Sequence, residues 1–262
     1  MHILIAGGTG TAGRVLAQQM TIAGHRVRVL ARRRPADSHG LDLVVGDLTT
    51  GAGVDRAVAG MEVVVDVSDM STPRRDKASA FFTAATEHLF TAEQQAGVQH
   101  HLVLSIVGID RFPSGYYRAK LDQEAAVVDA STRTGVGHSI ARVTQFHDFA
   151  ALVYRRFRVG RLVLAPSLHV QPVHLRDVAE HLLSLIAAGP AGRAPDLAGP
   201  QPEEVPDMVR RYTAAVARPA RVLPAPLLGA MRRANDAQVL RPRLGHRRGT
   251  LTFDDWLKEV EA

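Results

Sequence analysis

The first 145 residues alternate between strand-like and helix-like patterns of apolar positions. Strand-like segments, short and rich in aliphatic residues, lie at residues 2–6, 26–32, 41–48, 62–68, 101–108 and 137–143. Residues 14–23, 78–96 and 116–133 instead place apolar side chains at helical spacing, and the second of these helices is predicted to end at Gly97. Strands that alternate with helices predict a parallel sheet covered on both faces, which is the doubly wound α/β fold class.

The alternation weakens beyond residue 157. Residues 161–165 are strand-like and residues 177–188 are helical, but prolines interrupt the remainder. We therefore expect a core formed by residues 1–157 and a smaller, substrate-side C-terminal lobe, residues 158–262. The lobe is expected to pack on the core, so that the chain is a single compact unit.

A glycine-rich turn directly follows the first strand. The segment GGTGTAG has glycines at positions 7, 10 and 13 and opens the first helix. Gly7 permits a tight turn, Gly10 lets the backbone approach a pyrophosphate, and Gly13 allows close helix packing, while the helix N-terminus attracts the anion. Because the turn joins a strand to a helix, we interpret it as the dinucleotide-binding turn of a Rossmann fold rather than an ordinary loop. The cofactor contacts expected here are Gly7, Thr9, Gly10, Thr11, Ala12 and Gly13.

Two arginines at the end of the second strand bear on the choice of cofactor. A site for NAD(H) usually has Asp or Glu there, which binds the adenosine ribose hydroxyls. This sequence has Arg32 and Arg33 instead, and a guanidinium pairs well with a 2′-phosphate. The residues therefore favour NADP(H) over NAD(H); the alternative is that the arginines form only a solvated basic turn.

Further cofactor contacts are expected where the third and fourth strands end, because open α/β sheets bind ligands at the carboxyl ends of their strands. After the third strand, Asp47 can accept a hydrogen bond from the adenine amino group, and Leu48 lies beside it. Val67 and Ser68 end the fourth strand and are expected near the centre of the cofactor. Asp69 follows them and is either part of this site or a loop cap.

These motifs, together with Ser105 at the end of the fifth strand and the segment YYRAK at residues 116–120, resemble those of the atypical short-chain dehydrogenase/reductases (SDR), especially the NmrA-like NAD(P)-binding branch. The resemblance covers most of the chain. It implies an NADP(H)-binding Rossmann core with a C-terminal substrate lobe. Members of the branch include quinone reductases, isoflavone-reductase-like enzymes and redox-sensing regulators without catalysis.

The resemblance implies catalytic roles for three side chains. Tyr116 is the general acid/base, Lys120 tunes it and binds the nicotinamide ribose, and Ser105 orients the substrate. Tyr116 and Lys120 share one face of a helix, and an ammonium close to a phenol favours the phenolate and lowers its pKa. Two alternatives stay open: Tyr117 faces the site in place of Tyr116, or both tyrosines only pack while the lysine is exposed.

Three residues after the sixth strand are candidate substrate contacts. The fold of the resembled family places this segment against the nicotinamide and the substrate, and here it contains Gln145, Phe146 and His147. A single histidine is also compatible with a purely structural role.

Composition limits the other possibilities. The chain has no cysteine, which excludes disulfides and cysteine-ligated metals and agrees with a reducing compartment. Its 12 histidines include no HExxH pair, so we expect no metal site, and the Walker and GxSxG motifs are absent. The net charge of +6 comes almost wholly from dispersed arginines, and we interpret the basic clusters as solvated surface rather than as a nucleic-acid site. No apolar run is long enough to cross a membrane.

These observations lead to one main hypothesis and two alternatives. We expect a cytoplasmic, monomeric or homodimeric oxidoreductase that uses NADP(H) to reduce a carbonyl, quinone or enone of a small organic substrate. The first alternative is a non-catalytic regulatory protein that senses NADP(H). The second is an epimerase or dehydratase that retains its cofactor.

Overall fold

Strands and helices alternate through the first half of the chain. The computed structural model describes residues 1–34, 42–70, 72, 74–112 and 114–261. Its elements up to residue 143 are β1 (His2–Ala6), α1 (Thr11–Ile22), β2 (Arg26–Ala31), β3 (Asp42–Val45), α2 (Val54–Val58), β4 (Val63–Asp66), α3 (Arg75–Ala96), β5 (His100–Ile106), α4 (Gly115–Thr134) and β6 (Gly137–Val143). Every strand and helix that the apolar pattern predicts in this region is present, and the short α2 is additional.

The strands form a sheet in which β1 lies in the interior. The order is β3-β2-β1-β4-β5-β6, and the pairs β2–β3, β1–β2, β1–β4 and β4–β5 are parallel. Since β2 lies on one side of β1 and β4 on the other, the strand order reverses at this point. Ligands of open α/β sheets bind outside the carboxyl ends of the strands at such a point. The doubly wound Rossmann fold is thus confirmed, and it directs attention to the ends of β1 and β4.

The sheet is buried because its aliphatic strands are covered by apolar helix faces. Ile3, Leu4 and Ile5 of β1 are fully buried. Leu4 belongs to a core cluster that also contains Phe82 and Leu89 of α3. Burial of one such side chain stabilises the fold by about 1.5–3 kcal/mol, so this core holds the strand ends in place.

The elements after residue 143 are shorter. They are α5 (Phe149–Phe157), β7 (Arg158–Val159), β8 (Leu162–Pro166), β9 (His169–Val170), α6 (Leu175–Ala188), β10 (Gly192–Arg193), β11 (Leu197–Ala198), β12 (Glu203–Glu204), α7 (Val205–Ala215), β13 (Arg221–Ala225), α8 (Gly229–Asp236), β14 (Arg247–Arg248) and α9 (Phe253–Glu261). Strands β7, β8 and β13 form a three-stranded sheet in which β13 is parallel to β8. No helix in the described ranges is both long and apolar enough to span a membrane.

The chain divides into two compact units. The first consists of residues 1–105, 114–142 and 179–194 and contains most of the parallel sheet. The second consists of residues 106–113, 143–178 and 195–262 and has its own core, to which α5, β8, α7 and β13 contribute. Both units are discontinuous in sequence. The functional boundary expected between residues 157 and 158 stays a prediction.

Candidate functional site

The turn between β1 and α1 requires glycine at two positions and keeps an open surface at a third. Gly7 has a φ of +82°, and a Cβ there would lie 2.8 Å from the backbone of Ser68. At Gly13 a Cβ would lie 2.4 Å from the carbonyl oxygen of Gly7. Gly10 is exposed and has an ordinary φ of −72°, so the missing side chain there mainly leaves space above the turn.

The start of α1 presents backbone N–H groups to that space. No side chain caps the helix, and its first turn contains no acidic residue, so the partial positive charge of the helix end is not neutralised locally. Arg14 stiffens the turn by donating from Nε to the Thr9 carbonyl at 2.9 Å. Ser68, at the end of β4, is buried, and its Oγ has no hydrogen-bond partner among the described residues. An open turn, a free helix end and an orphaned hydroxyl together fit a dinucleotide.

The remaining predicted cofactor residues differ in what they offer. Arg32 and Arg33 follow β2 directly and are exposed. Asp47 is half-buried, and its Oδ1 accepts the N–H of Thr49 at 2.8 Å, so this carboxylate also caps its own loop. Leu48 packs into the core, so it has only its backbone for a ligand. Of the others, Thr11 is exposed, whereas Thr9, Ala12 and Val67 are half-buried.

Lys120 of α4 is buried in the first unit with its ammonium surrounded by polar and aromatic groups. Nζ donates to the carbonyl of Leu104 at 2.9 Å and to Oε1 of Gln123 at 2.5 Å, and it lies 4.8 Å from the centre of the Phe82 ring. Gln123 in turn donates from Nε2 to Asp66 at 2.9 Å. The alternative that this lysine is exposed is wrong, because only 5% of its surface is accessible.

The charge on Lys120 results from opposing influences. Burial lowers its pKa, while the carboxylates of Asp66, Asp69 and Glu124 raise it. An ammonium has three N–H donors, and the two acceptors within the described part of the chain use two of them. The third N–H has no hydrogen-bond acceptor among the described residues, and the Phe82 ring covers one side of the ammonium.

Tyr116 has a carboxylate as its partner. Its hydroxyl donates to Oδ1 of Asp69 at 2.6 Å, and its ring lies against Phe82 and Tyr117. Burial, followed by the charge of Asp69, raises the pKa of Tyr116 above its ordinary value. The predicted lowering of this pKa by Lys120 is therefore wrong for this structure, because a nearby anion disfavours the phenolate. Asp69 acts as the acceptor for Tyr116.

Ser105 belongs to a buried ionic network. Its hydroxyl donates to Oε1 of Glu124 at 2.5 Å, and Glu124 accepts two hydrogen bonds from Arg142, from Nε at 2.7 Å and from the terminal nitrogen at 2.5 Å. All three side chains belong to residues that are more than nine-tenths buried. The hydroxyl predicted to orient a substrate is thus engaged within the protein.

The sequence interpretation did not identify Asp66, Gln123, Glu124 or Arg142 as residues of this region. A signal was nevertheless present, because Asp66 ends a strand of valines and Arg142 lies in an apolar strand. Gln123 and Glu124 follow Lys120 by three and four positions, which is the spacing of one helix face.

The sequence matches a known family over most of the first unit and beyond. A family model described as NAD(P)H-binding matches residues 7–188. The chain belongs to the NAD(P)H-binding family. This membership confirms the resemblance to atypical, NmrA-like short-chain dehydrogenase/reductases and assigns the chain to a group of NAD(P)-binding oxidoreductases.

Individual relatives and structural neighbours are in keeping with this family. The (4-alkanoyl-5-oxo-2,5-dihydrofuran-3-yl)methyl phosphate reductase of Streptomyces griseus is 29% identical over 230 residues, which cover 84% of this chain and 75% of the relative. The photosystem II assembly factor Ycf39 of Trieres chinensis is 31% identical over 116 residues, 43% of this chain and 36% of the relative. A crystal structure of an Agrobacterium tumefaciens short-chain dehydrogenase/reductase superfamily protein with bound NAD has a TM-score of 0.74 at 19% identity and covers 100% of this chain and 96% of that one. That last likeness concerns the fold.

The predicted substrate residues of this NAD(P)H-binding protein lie in the second unit. The main-chain carbonyl of Gln145 accepts the N–H of Val173 at 2.8 Å, and Phe146 forms an isolated parallel β-bridge with the same residue. His147 is buried, and Nε2 lies 3.1 Å from the carbonyl of Pro172.

The surroundings of His147 are aromatic. Its ring lies against His174, Phe253 and Trp256, and burial lowers its pKa to about 3. These contacts explain His147 as a packing residue, and the role of the segment in substrate binding stays a prediction. Across the described residues, no group of three or more metal-ligating side chains is present.

Proposed function

We propose that this NAD(P)-binding oxidoreductase uses NADP(H) to reduce the double bond or carbonyl group of an enone, with a quinone or a simple ketone as less specific substrates of the same chemistry. The observation that carries the proposal is the buried ammonium of Lys120, which keeps one N–H for a ligand in the unit that contains the glycine turn. The relative that matches most of the chain supports it, because its name describes a reductase of an alkanoyl-substituted dihydrofuranone.

Different residues bind the cofactor and supply the proton. NADP(H), when bound, supplies a hydride. The turn at Gly7–Gly13 and the start of α1 hold the pyrophosphate, Arg32 and Arg33 hold the 2′-phosphate, and Lys120 donates to the nicotinamide ribose. Tyr116 supplies the proton, for which its hydroxyl must turn from Asp69 towards the substrate oxygen. We place the protein in the cytoplasm, as a monomer or homodimer.

The proposal is tested by cofactor binding and turnover. Purified protein is titrated with NADPH and NADH, and NADPH oxidation is then followed with acyl-substituted butenolides of increasing chain length, with quinones and with ketones. We expect NADPH to bind more tightly than NADH and at least one enone to be reduced. Failure to bind either cofactor would refute the proposal.

A charge reversal tests the cofactor preference. Arg32→Glu should weaken NADPH binding by about tenfold or more while changing NADH binding little, because it replaces a charge-assisted hydrogen bond to phosphate by repulsion. Arg26→Glu is the matched control, since Arg26 is exposed at the opposite, amino end of β2. Equal losses for both cofactors would remove Arg32 from phosphate recognition.

A second function, cofactor sensing without turnover, is favoured by one feature of the site. The hydroxyls of Tyr116 and Ser105 are both engaged by carboxylates, those of Asp69 and Glu124. One relative of this chain is named as an assembly factor rather than an enzyme. If the protein binds NADPH but oxidises none with the whole panel of acceptors, sensing replaces reduction as the proposal.

A further inference from the structure

A line of buried hydrogen bonds connects the end of β4 to Lys120. Oδ2 of Asp66 accepts Nε2–H of Gln123 at 2.9 Å, and Oε1 of Gln123 accepts from Lys120 Nζ at 2.5 Å. The other oxygen of Asp66 accepts the backbone N–H of Ser68 at 2.9 Å. Asp66 and Gln123 are 1% exposed, so each polar atom depends on these partners.

The direction of these hydrogen bonds is determined at both ends. A carboxylate can only accept and an ammonium can only donate. Gln123 must therefore turn its amide N–H2 towards Asp66 and its oxygen towards Lys120. Because the Asp66 carboxylate accepts from Nε2 of Gln123, Oε1 of Gln123 is the atom that faces Lys120.

We propose that Asp66 and Gln123 are positioning residues for Lys120, which hold its ammonium so that the third N–H points to the cofactor ribose. The inference rests on the proposed binding of NADP(H) by Lys120. The same carboxylate fixes the backbone of Ser68, so one side chain positions two predicted cofactor contacts. Neither residue touches the cofactor in this scheme.

The charged groups around Lys120, including Asp66, also determine whether its side chain is protonated. Asp66 at the end of β4, Asp69 after that strand and Glu124 on α4 all favour the ammonium, while Phe82 of α3 covers one side of it. Burial opposes them by lowering the pKa. Removal of one anion shifts this balance towards neutral lysine, which has fewer N–H groups to donate.

Asp66→Asn tests the inference by reversing the direction of the line at nearly constant volume. The new amide keeps an oxygen for the N–H of Ser68 and turns N–H2 towards Gln123, which must then present its own N–H2 to Lys120. The N–H2 group of Gln123 and the ammonium of Lys120 are both donors, so no hydrogen bond forms between them. We expect NADPH affinity, measured by fluorescence titration, to fall about tenfold. The loss should increase with pH, because Lys120 loses its proton at a lower pH than in the native chain.

The double variant Asp66→Asn with Gln123→Glu again gives Lys120 an oxygen acceptor at position 123. A carboxylate at position 123 accepts both from the new amide at position 66 and from Lys120, and the total charge is that of the native chain. We expect its NADPH affinity to return to within about threefold of the native value. A residue with a merely structural role would not give this recovery in affinity and in the pH profile.

Two further variants keep the test decisive. Gln123→Met removes the acceptor for Lys120 in a different way and should give the same loss, even if Asp66→Asn folds poorly. Asp122→Asn is the matched control, since Asp122 lies on the same helix and pairs with Arg75 at the surface. It should leave NADPH affinity unchanged at every pH.

The outcomes separate this inference from the proposed function. If the native protein binds no NADPH, the proposed function fails and the inference with it. If the native protein binds NADPH and both Asp66→Asn and Gln123→Met bind it equally well at every pH, the inference alone is overturned. A folded double variant as weak as Asp66→Asn would also overturn it.

Discussion

Tyr116 shows that a neighbour, rather than the residue type, decides what a side chain can do. Tyrosine and lysine four positions apart on a helix predict a phenol activated by an ammonium. In the structure the phenol donates to Asp69 instead, 47 positions away in sequence, and its pKa rises. Proton donation by Tyr116 therefore has to overcome repulsion between the phenolate and this carboxylate.

The contribution of Asp69 to this pKa can be measured directly. Asp69→Asn should lower the pKa of Tyr116, because it removes the anion that disfavours the phenolate, while burial and the neighbouring Tyr117 still hold this pKa above its ordinary value. Ultraviolet difference titration of this variant against the same variant with Tyr116→Phe isolates the one tyrosine. An unchanged titration would show that Asp69 does not control the phenol.

Turnover tests the role of Tyr116 separately. Tyr116→Phe should lower the turnover of an accepted enone by about a hundredfold or more, as expected for loss of a general acid, and leave NADPH affinity nearly unchanged. Tyr117→Phe is the comparison, because Tyr117 is the alternative proton donor: we expect it to keep most of the turnover, and a loss in this variant instead would assign the role to Tyr117. Turnover that is insensitive to Tyr116→Phe would remove this residue from the mechanism and favour the sensing function.

At the scale of elements, the most predictable feature is the glycine turn between β1 and α1. A short aliphatic strand, glycines at fixed spacing and a helical pattern are all local, so the sequence predicts them together. The helix α2 was not predicted because its five residues are too few to show a period.

The two glycines Gly10 and Gly13 should respond differently to alanine. Gly13→Ala places a Cβ 2.4 Å from the Gly7 oxygen, so we expect a loss of about 1–3 kcal/mol in unfolding free energy. Gly10→Ala meets the Gly7 carbonyl oxygen only at 3.3 Å and occupies an N-cap position with ordinary φ. It should lose only about 0.5–1 kcal/mol of unfolding free energy, because alanine is a poorer N-cap than glycine, but it should bind NADPH much more weakly.

Denaturant unfolding and NADPH titration of both variants check this pair. Native-like NADPH affinity of Gly10→Ala would mean that the cofactor does not approach the turn at this position.

At the scale of the whole molecule, buried histidines make stability depend on pH. Burial lowers the pKa of His100 to about 4 and that of His147 to about 3. Both are neutral in the folded chain at pH 5, whereas in the unfolded chain they bind a proton near pH 6.5. The unfolded state thus gains protons first as the pH falls, and stability decreases below about pH 6.5. His101 changes the stability in the opposite direction, because the carboxylate of Glu93, whose Oε1 lies 2.7 Å from Nδ1 of His101, outweighs burial and raises its pKa.

Replacement of His100 checks the sign of this effect. His100→Gln removes the titration, so its unfolding free energy should fall less between pH 7 and pH 5 than that of the native chain, by about 1–2 kcal/mol. Urea unfolding at the two pH values gives the comparison, and His246→Gln in the C-terminal region is the control. An identical pH dependence in native chain and variant would contradict the assignment to His100.

The division into two units could not be predicted from the sequence. Helix α6 begins in the second unit and continues in the first, and a boundary placed where the strand–helix alternation weakens cannot represent such an exchange of segments. Which segments form a common core depends on long-range contacts, and the apolar pattern records only that a face is buried.

The sequence by itself determined the succession of the six strands and three longer helices up to residue 143, the Rossmann class and the glycine turn, because each depends on residues close together along the chain. Only the tertiary structure decided that Lys120 meets Gln123 and Asp66, that Glu124 holds Ser105, and that Asp69 holds Tyr116. Gln123 shares α4 with Lys120, but Asp66 ends β4, Asp69 follows β4 and Ser105 lies on β5. A buried polar atom bonds to whichever donor or acceptor the packing brings within reach.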